Sequence, residues 1–213
     1  MAPRRTLRAG STTIELAERP WLMGVVNASP DSFSGAGGDV AGADIVDVGG
    51  ESAITGRPPV EVEEEIARVV PAIERYVRDG LLVSVDTYKP AVAEAAIAAG
   101  ASIVNDVSGL RDPALADVCA RTGAALVVMH TRAAPKERVR LDYDDVVADV
   151  VTFLRERIAV ALDRGVAPEQ IVVDPGPDFA KTPAQTIEVL RRLDVLHELG
   201  HPLLLAISRK DFI

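Results

Sequence analysis

Short apolar runs that each close on a polar or large side chain set the terms for this chain. Leu82-Val83-Ser84-Val85-Asp86, Ser102-Ile103-Val104-Asn105-Asp106-Val107, Ala125 to Met129 and Ile171-Val172-Val173-Asp174 are short and rich in β-branched residues, the form of a strand buried on both faces. Two earlier runs, Trp21 to Asn27 and Asp44 to Val48, and a last one, Leu203 to Ile207, extend the series. Between them lie helical patterns that stop at glycine: Glu61 to Arg78, Pro90 to just before Gly100, Pro113 to about Thr122, about Asp144 to Arg164, and about Ala184 to Leu199. In the first of these, Ile66, Val69, Val70, Ile73 and Val77 share one face, and Glu61, Glu63, Glu64 and Glu65 suit the positive end of a helix.

Strands alternating with helices specify βαβ units and a parallel sheet. Seven such strands in 213 residues predict an α/β fold of the TIM (β/α)₈ type, one unit short of the usual eight strands and ~250 residues. An open doubly wound sheet is the alternative, but no G-x-G-x-x-G follows the first strand. Thr6 to Glu15, around Ala9-Gly10-Ser11, reads as a hairpin that covers the bottom of the barrel. The expected organisation is one domain over residues 1–213, with the hairpin in 1–20 and the barrel in 21–213.

Parallel strands bring their carboxyl ends to one rim, where such folds keep their chemistry. That rim would hold Asn27, Asp47, Asp86, Asn105, Met129, Asp174 and, after the last run, Lys210. Carboxylates and amides there match the donors and acceptors along the edge of a planar heterocycle. Two acids and an amine in a cup of low dielectric could also stabilise a cationic centre and orient an anionic leaving group. Each Asp taken singly could instead cap the helix that follows it, and Asp47, close to Gly49-Gly50, is the readiest candidate for a structural role.

The net charge of −9 argues against broad binding to nucleic acid or to an anionic membrane. The lone Cys119 excludes an internal disulfide, fits a reducing cytoplasm and reads as a buried thiol. No run is long enough to span a membrane. His130 reads as a hydrogen-bonded histidine at a strand end. The Arg132-to-Arg140 run reads as a solvated basic loop.

Met23-Gly24-Val25-Val26-Asn27-Ala28-Ser29-Pro30-Asp31-Ser32-Phe33-Ser34 and Asp44-Ile45-Val46-Asp47-Val48-Gly49-Gly50-Glu51-Ser52 resemble the first two signatures of dihydropteroate synthases. Ser84-Val85-Asp86-Thr87, Val104-Asn105-Asp106-Val107-Ser108-Gly109, Asp174-Pro175-Gly176 with Phe179-Ala180-Lys181-Thr182, and Ser208-Arg209-Lys210 follow in that family's order. The resemblance implies a cytoplasmic TIM-barrel transferase of folate biosynthesis. Such an enzyme joins a dihydropterin methyl diphosphate to p-aminobenzoate and releases pyrophosphate, with sulfonamide-type analogues as competitors and a tendency to homodimerise.

By motif, Asn105, Asp174 and Lys210 would hold the pterin, Met129 would pack against it, and Asp86 would stand near its reacting side. Asp86 and Lys210 are the implied catalytic pair. Asn27 would help place Mg²⁺ on the diphosphate. Thr55 and Arg57 in the second loop would contact substrate, although Ala53 is the ungapped match for that Thr. Phe179 and the stem of Lys210 would flank p-aminobenzoate.

Three departures from the pattern carry expectations of their own. Gly35 to Ala43 is too short for the crossover helix expected between the first two strands. The family's last crossover and eighth strand, with an Arg and His pair that it uses on the diphosphate, are missing from the pattern, which stops at Ile213. The second loop, Ala53-Ile54-Thr55-Gly56-Arg57-Pro58, is longer than the family's usual Thr-Arg-Pro, and Asp211 also stands where a Ser commonly follows the Lys. The chain therefore reads as a shortened synthase. A pterin-binding remnant without turnover, a pterin-dependent methyltransfer domain and a Schiff-base barrel lyase are the alternatives.

Overall fold

A computed structural model describes residues 6–16, 19–28, 40–51, 58–137, 139–208, 210 and 212. Chain order is β1 (Thr6–Ala9), β2 (Thr12–Glu15), β3 (Met23–Asn27), β4 (Ile45–Gly49), α1 (Val62–Arg78), β5 (Leu82–Asp86), α2 (Pro90–Ala98) and β6 (Ile103–Asp106). Then follow α3 (Ala114–Thr122), β7 (Ala125–Met129), α4 (Val146–Asp163), β8 (Ile171–Asp174), α5 (Pro183–Arg191) and α6 (Leu193–His197). β1 and β2 form the expected antiparallel hairpin. β3 to β8 pair in sequence order, every neighbour parallel. This is the curved sheet of a TIM-type barrel with its helices outside.

Side chains alternate across a strand, and here the alternation separates two cores. Val46, Val48, Val83, Val85, Val104, Leu126, Val128, Ile171 and Val173 face outward and pack with helical residues such as Val69, Ile73, Leu115, Val150 and Leu154. Ile45, Ile103, Ala125, Val127 and Val172 face inward and join Leu7, Ala9 and Ile14 of the hairpin. The hairpin thus plugs the amino end of the barrel, pinned by the Gly10 amide donating to Gly123 O at 2.9 Å. Gly123 ends α3 in the left-handed region (φ 79), which glycine enters without a Cβ clash. Local chemistry fixes the helix starts: Asp145 accepts from the Ala148 amide at the head of α4, and Thr182 with Gln185 forms a capping box at α5.

β3 and β4 are parallel as expected, despite the short connection between them, most of which (29–39) lies outside the described residues. The structure differs from expectation at two places. The helix expected over 184–199 is two helices, because Arg192 leaves helical geometry (φ −118, ψ 33). The last run is less of a strand than its composition suggests. Val173 bridges Leu203 in parallel, the Val173 amide donates to Pro202 O and the Leu204 amide to Val173 O, both at 2.9 Å, and pairing then stops. Residues 203–206 are half-buried and Ile207 is exposed, since nothing among the described residues pairs with their second edge. At the opposite side of the sheet, Val25 of β3 is 73% exposed.

Candidate active site

Register places the site. Asp47 pairs with Ser84, Gly49 with Asp86, Asp86 with Asn105, and Met129 with Asp174. Partners in a parallel register share a face, so Asp47, Ser84, Asp86, Asn105, Met129 and Asp174 all lie on the inward face above the apolar plug. Gly49 leaves room beside them, because a Cβ there would stand 3.5 Å from Asp86 Oδ2. Asn27 ends β3 opposite Gly49 and is exposed.

Acid dominates this mouth. Asn105 Nδ2 donates to Asp47 Oδ2 at 3.0 Å. Asp47 Oδ1 and Ser84 Oγ are buried with no partner at hydrogen-bonding geometry. Burial raises the Asp47 carboxyl above the usual carboxylate range, with the Ser84 and Asn105 side chains pulling the other way. Asp86 is driven well above that range, first by burial and then by the charges of Asp47, Glu65, Asp106 and Glu51. Asp174 is pushed up to about 6 by burial, against the Gly176 amide and the charges of Lys210 and Lys181. Its Oδ1 accepts from the Gly176 amide at 2.7 Å. Three acids that resist ionisation in one cup are a common mark of a functional site.

One cation reaches the cup from the chain's end. Lys210 Nζ lies 4.5 Å from the centroid of the Phe179 ring, a cation–π distance, so the last segment and the loop after β8 meet beside Asp174. Met129 is fully buried against the same strand end. The structure thus brings Asp86, Asn105, Met129, Asp174, Phe179 and Lys210 to one mouth and leaves Asn27 at its exposed edge. Thr55 and Arg57, with Arg209 and Asp211, lie outside the described residues.

Two clusters received no role from sequence. Outside the mouth, Lys89 Nζ donates to Glu51 Oε2 at 2.6 Å, Val60 O at 2.6 Å and Glu65 Oε2 at 2.5 Å. Lys136 Nζ lies 2.9 Å from Glu51 Oε1 and donates to Pro58 O at 3.1 Å. Burial raises the Glu51 carboxyl, but Lys89, Lys136 and the Val60 amide outweigh it and the net shift is downward. The Arg132-to-Arg140 run is therefore not simply solvated: Lys136 braces the base of the second loop, and Arg132 forks onto Asp149 at 2.6 and 3.0 Å.

Beneath Asp174, Lys181 Nζ meets His130 Nδ1 at 2.7 Å, Gly176 O at 2.9 Å and Phe179 O at 3.1 Å. His130 is the hydrogen-bonded strand-end histidine expected, with no exposed surface. Cys119 is buried and its thiol is pushed up to about 12 by burial and by Asp106, so it is no nucleophile. Among the described residues no group of three or more His, Cys, Asp or Glu could hold a metal ion, and no helix is long and apolar enough to cross a membrane.

Residues 40–213 match the family described as pterin binding enzyme. The dihydropteroate synthase of Clostridium beijerinckii is 41% identical over 223 residues, covering 97% of this chain and 81% of that protein. Among solved structures, Xanthomonas albilineans dihydropteroate synthase with 4-aminobenzoic acid superposes with a TM-score of 0.87 at 41% identity, over 100% of this chain and 80% of that one. Burkholderia cenocepacia dihydropteroate synthase complexed with 7,8-dihydropteroate gives 0.86 at 38% identity, over 100% and 79%. A parallel barrel whose acids gather at the carboxyl end, and these likenesses across nearly its whole length, agree: the chain belongs to the dihydropteroate synthase family of pterin-binding enzymes.

Proposed function

We propose that this mouth joins 6-hydroxymethyl-7,8-dihydropterin diphosphate to p-aminobenzoate, forming dihydropteroate and releasing pyrophosphate. The observation that carries the reading is the convergence of Asp86, Asn105 and Asp174 on one inner face, with Lys210 stacked on Phe179 beside them. The likeness to synthases solved with 4-aminobenzoic acid and with 7,8-dihydropteroate supports it. Asn105 and Asp174 present the acceptors and donors that a pterin edge requires, and Met129 offers an apolar contact for its ring. Positive charge develops on the pterin methyl carbon as its bond to the diphosphate oxygen breaks, and a cation there favours the ionised form of Asp86 and the other acids, whose carboxylates then stabilise it. The amine then bonds to that carbon and loses a proton, and the bond's electrons leave with pyrophosphate. Phe179 and the stem of Lys210 form the wall for the aromatic ring of p-aminobenzoate.

Mg²⁺ fits this site as an ion brought with substrate. Such an ion is commonly held by one or two protein oxygens plus phosphates and waters, and Asn27 sets an amide oxygen at the exposed end of β3. When bound it would neutralise charge on the diphosphate. Thr55 and Arg57 are assigned to the substrate loop by their motif.

The test is turnover. Purified protein given pterin diphosphate, p-aminobenzoate and Mg²⁺ should release one pyrophosphate per dihydropteroate, with a sulfonamide competing against the amine. Folded protein that binds pterin but yields no product would make it a pterin-binding remnant instead.

A further inference from the structure

The loop that carries Phe179 is strained and does not hold itself. Gly176, Asp178 and Ala180 have φ of 63, 67 and 53, and the two non-glycine residues each cost about 1–2 kcal/mol in that region. A Cβ at residue 176 would fall 2.1 Å from His130 O, so the turn is also pressed onto the end of β7. Thr186 holds one side by accepting from the Asp178 amide at 3.1 Å, and Tyr143 OH donates to Ala180 O at 3.1 Å. The middle is held by Lys181, whose side chain turns back under its own loop and is 2% exposed.

An ammonium has three donors and no acceptor, and Lys181 finds three acceptors in Gly176 O, Phe179 O and His130 Nδ1. With Nδ1 accepting, His130 carries its proton on Nε2, which faces Asp149 Oδ2 at 3.3 Å. Asp149 is in turn fixed by the Arg132 fork. The chain Arg132–Asp149–His130–Lys181 therefore runs from the segment after β7, by way of Asp149 on α4, to the two carbonyls that frame Phe179.

We propose that Lys181 is a positioning residue for the amine substrate, tying the Gly176 and Phe179 carbonyls to His130 so that the Phe179 ring stands fixed under Lys210. This rests on the synthase reading above. Asp174 itself ends β8 and is fixed by the strand, and Lys181 meets its side-chain hydrogen bond only through Gly176, whereas Phe179 stands farther into the loop with its own carbonyl held by Lys181, so pterin contacts depend on Lys181 less than the p-aminobenzoate wall does. Charge acts in the same sense. Lys181 is lowered to about 7, chiefly by burial and also by Lys210, against the raising effect of Asp174, Asp149 and Asp178. His130, brought down to about 3 by burial, by Lys181 and by Arg132 against Asp149, stays neutral. Above about pH 7 the lysine loses one donor, and only an imidazole that turns its Nε2 lone pair toward Asp149 could replace that hydrogen bond.

Steady-state kinetics with both substrates test the role. Lys181→Met should raise the KM for p-aminobenzoate about tenfold or more, the cost of a misplaced contact wall, while the Kd for pterin diphosphate changes less than about twofold. Wild-type KM for the amine should rise from pH 6 to 8.5, a limb absent from the variant. If Lys181→Met does not fold, His130→Leu should reproduce its effect and His130→Gln, which restores an acceptor, should largely rescue it. An unchanged amine KM, equal loss of both substrates, or a flat wild-type pH profile would each overturn the role of Lys181. Absence of product from the wild-type protein would instead overturn the synthase reading.

Discussion

At their amino ends the barrel strands give Ile45, Ile103 and Ala125 to a plug sealed by Leu7, Ala9 and Ile14; at their carboxyl ends the same strands give Asp47, Asp86, Asn105 and Asp174. The two ends lie a few residues apart along each strand and follow opposite rules. At the floor, apolar area leaves water and polar groups pair, as where Arg8 Nη2 donates to Gln170 Oε1 at 2.7 Å and Gln170 Nε2 to Ala124 O at 2.6 Å. At the mouth, acids are buried beside other acids, and Asp47 Oδ1 and Ser84 Oγ complete no hydrogen bond. Unpaired buried polar groups cost stability, so the mouth is held in place by the rest of the fold. The outer wall makes the contrast sharper: Glu51 and Glu65 are also buried, but Lys89 bridges them. The acids of this outer cluster share a cation, whereas among the described residues Asp47 and Asp86 in the cup form no ion pair.

Removing one of the unpaired acids gives the largest expected effect. Asp86→Asn should lower kcat/KM by about 10²- to 10³-fold, the scale of losing one preorganised electrostatic contact. Its melting temperature should stay the same or rise, because the variant removes a group whose ionisation is opposed first by burial and then by Asp47, Glu65, Asp106 and Glu51. Thermal melts beside initial rates would check this. A variant that loses several degrees along with its activity would erase the distinction between mouth and floor.

How much of this was legible in the sequence follows from the range of the interactions involved. Strand–helix alternation and the inward set of acids are written in local periods of 2 and 3.6, and the helix stops sit on glycines such as Gly123. The thin pairing of Leu203 and the break at Arg192 were not legible, since apolar content marks a strand without showing whether both of its edges find partners. Lys181 was visible as a letter in a motif, yet its work depends on His130, 51 positions earlier. Lys89 likewise reads as an unremarkable residue before a helix until Glu51, 38 positions away, is folded against it. Families of motifs name such residues; only distances give them partners.

A second, smaller effect separates binding from stability at Asp174. Its folded pKa of about 6 lies above the ordinary value near 3.8, so the folded state binds this proton more tightly than the unfolded chain does. The resulting stability is present below about pH 4 and is lost as pH rises through 6, with a slope of at most about 1.4 kcal/mol per pH unit. Affinity for a pterin whose N–H groups need a carboxylate acceptor should run the opposite way, gaining up to about tenfold per unit from pH 4 to 6 and levelling above it. Calorimetric titrations and melts across that window would check both slopes, and Asp174→Asn should flatten both. Slopes of the same sign, or slopes that survive in the variant, would mean that another group controls the mouth.

The floor should give the smallest response, and one confined to stability. Arg8 joins the hairpin to the barrel through Glu169 at 3.3 Å and Gln170 at 2.7 Å, with 34% and 41% of the Arg8 and Glu169 side chains exposed. Exposed pairs contribute little, about 0–1 kcal/mol, and the part-buried hydrogen bond from the Arg8 guanidinium to the neutral Gln170 amide adds about 1 kcal/mol. Arg8→Ala should therefore cost about 1–2 kcal/mol in denaturant unfolding, with the KM for either substrate unchanged. The Gln170 side chain keeps its bonds to Cys119 O and Ala124 O, which limits how far the loss spreads toward the barrel interior. A change in KM on removing Arg8 would show that the plug transmits strain upward through Ile103 and Val127 to Asn105, and that the two ends of the strands are less separate than their chemistry suggests.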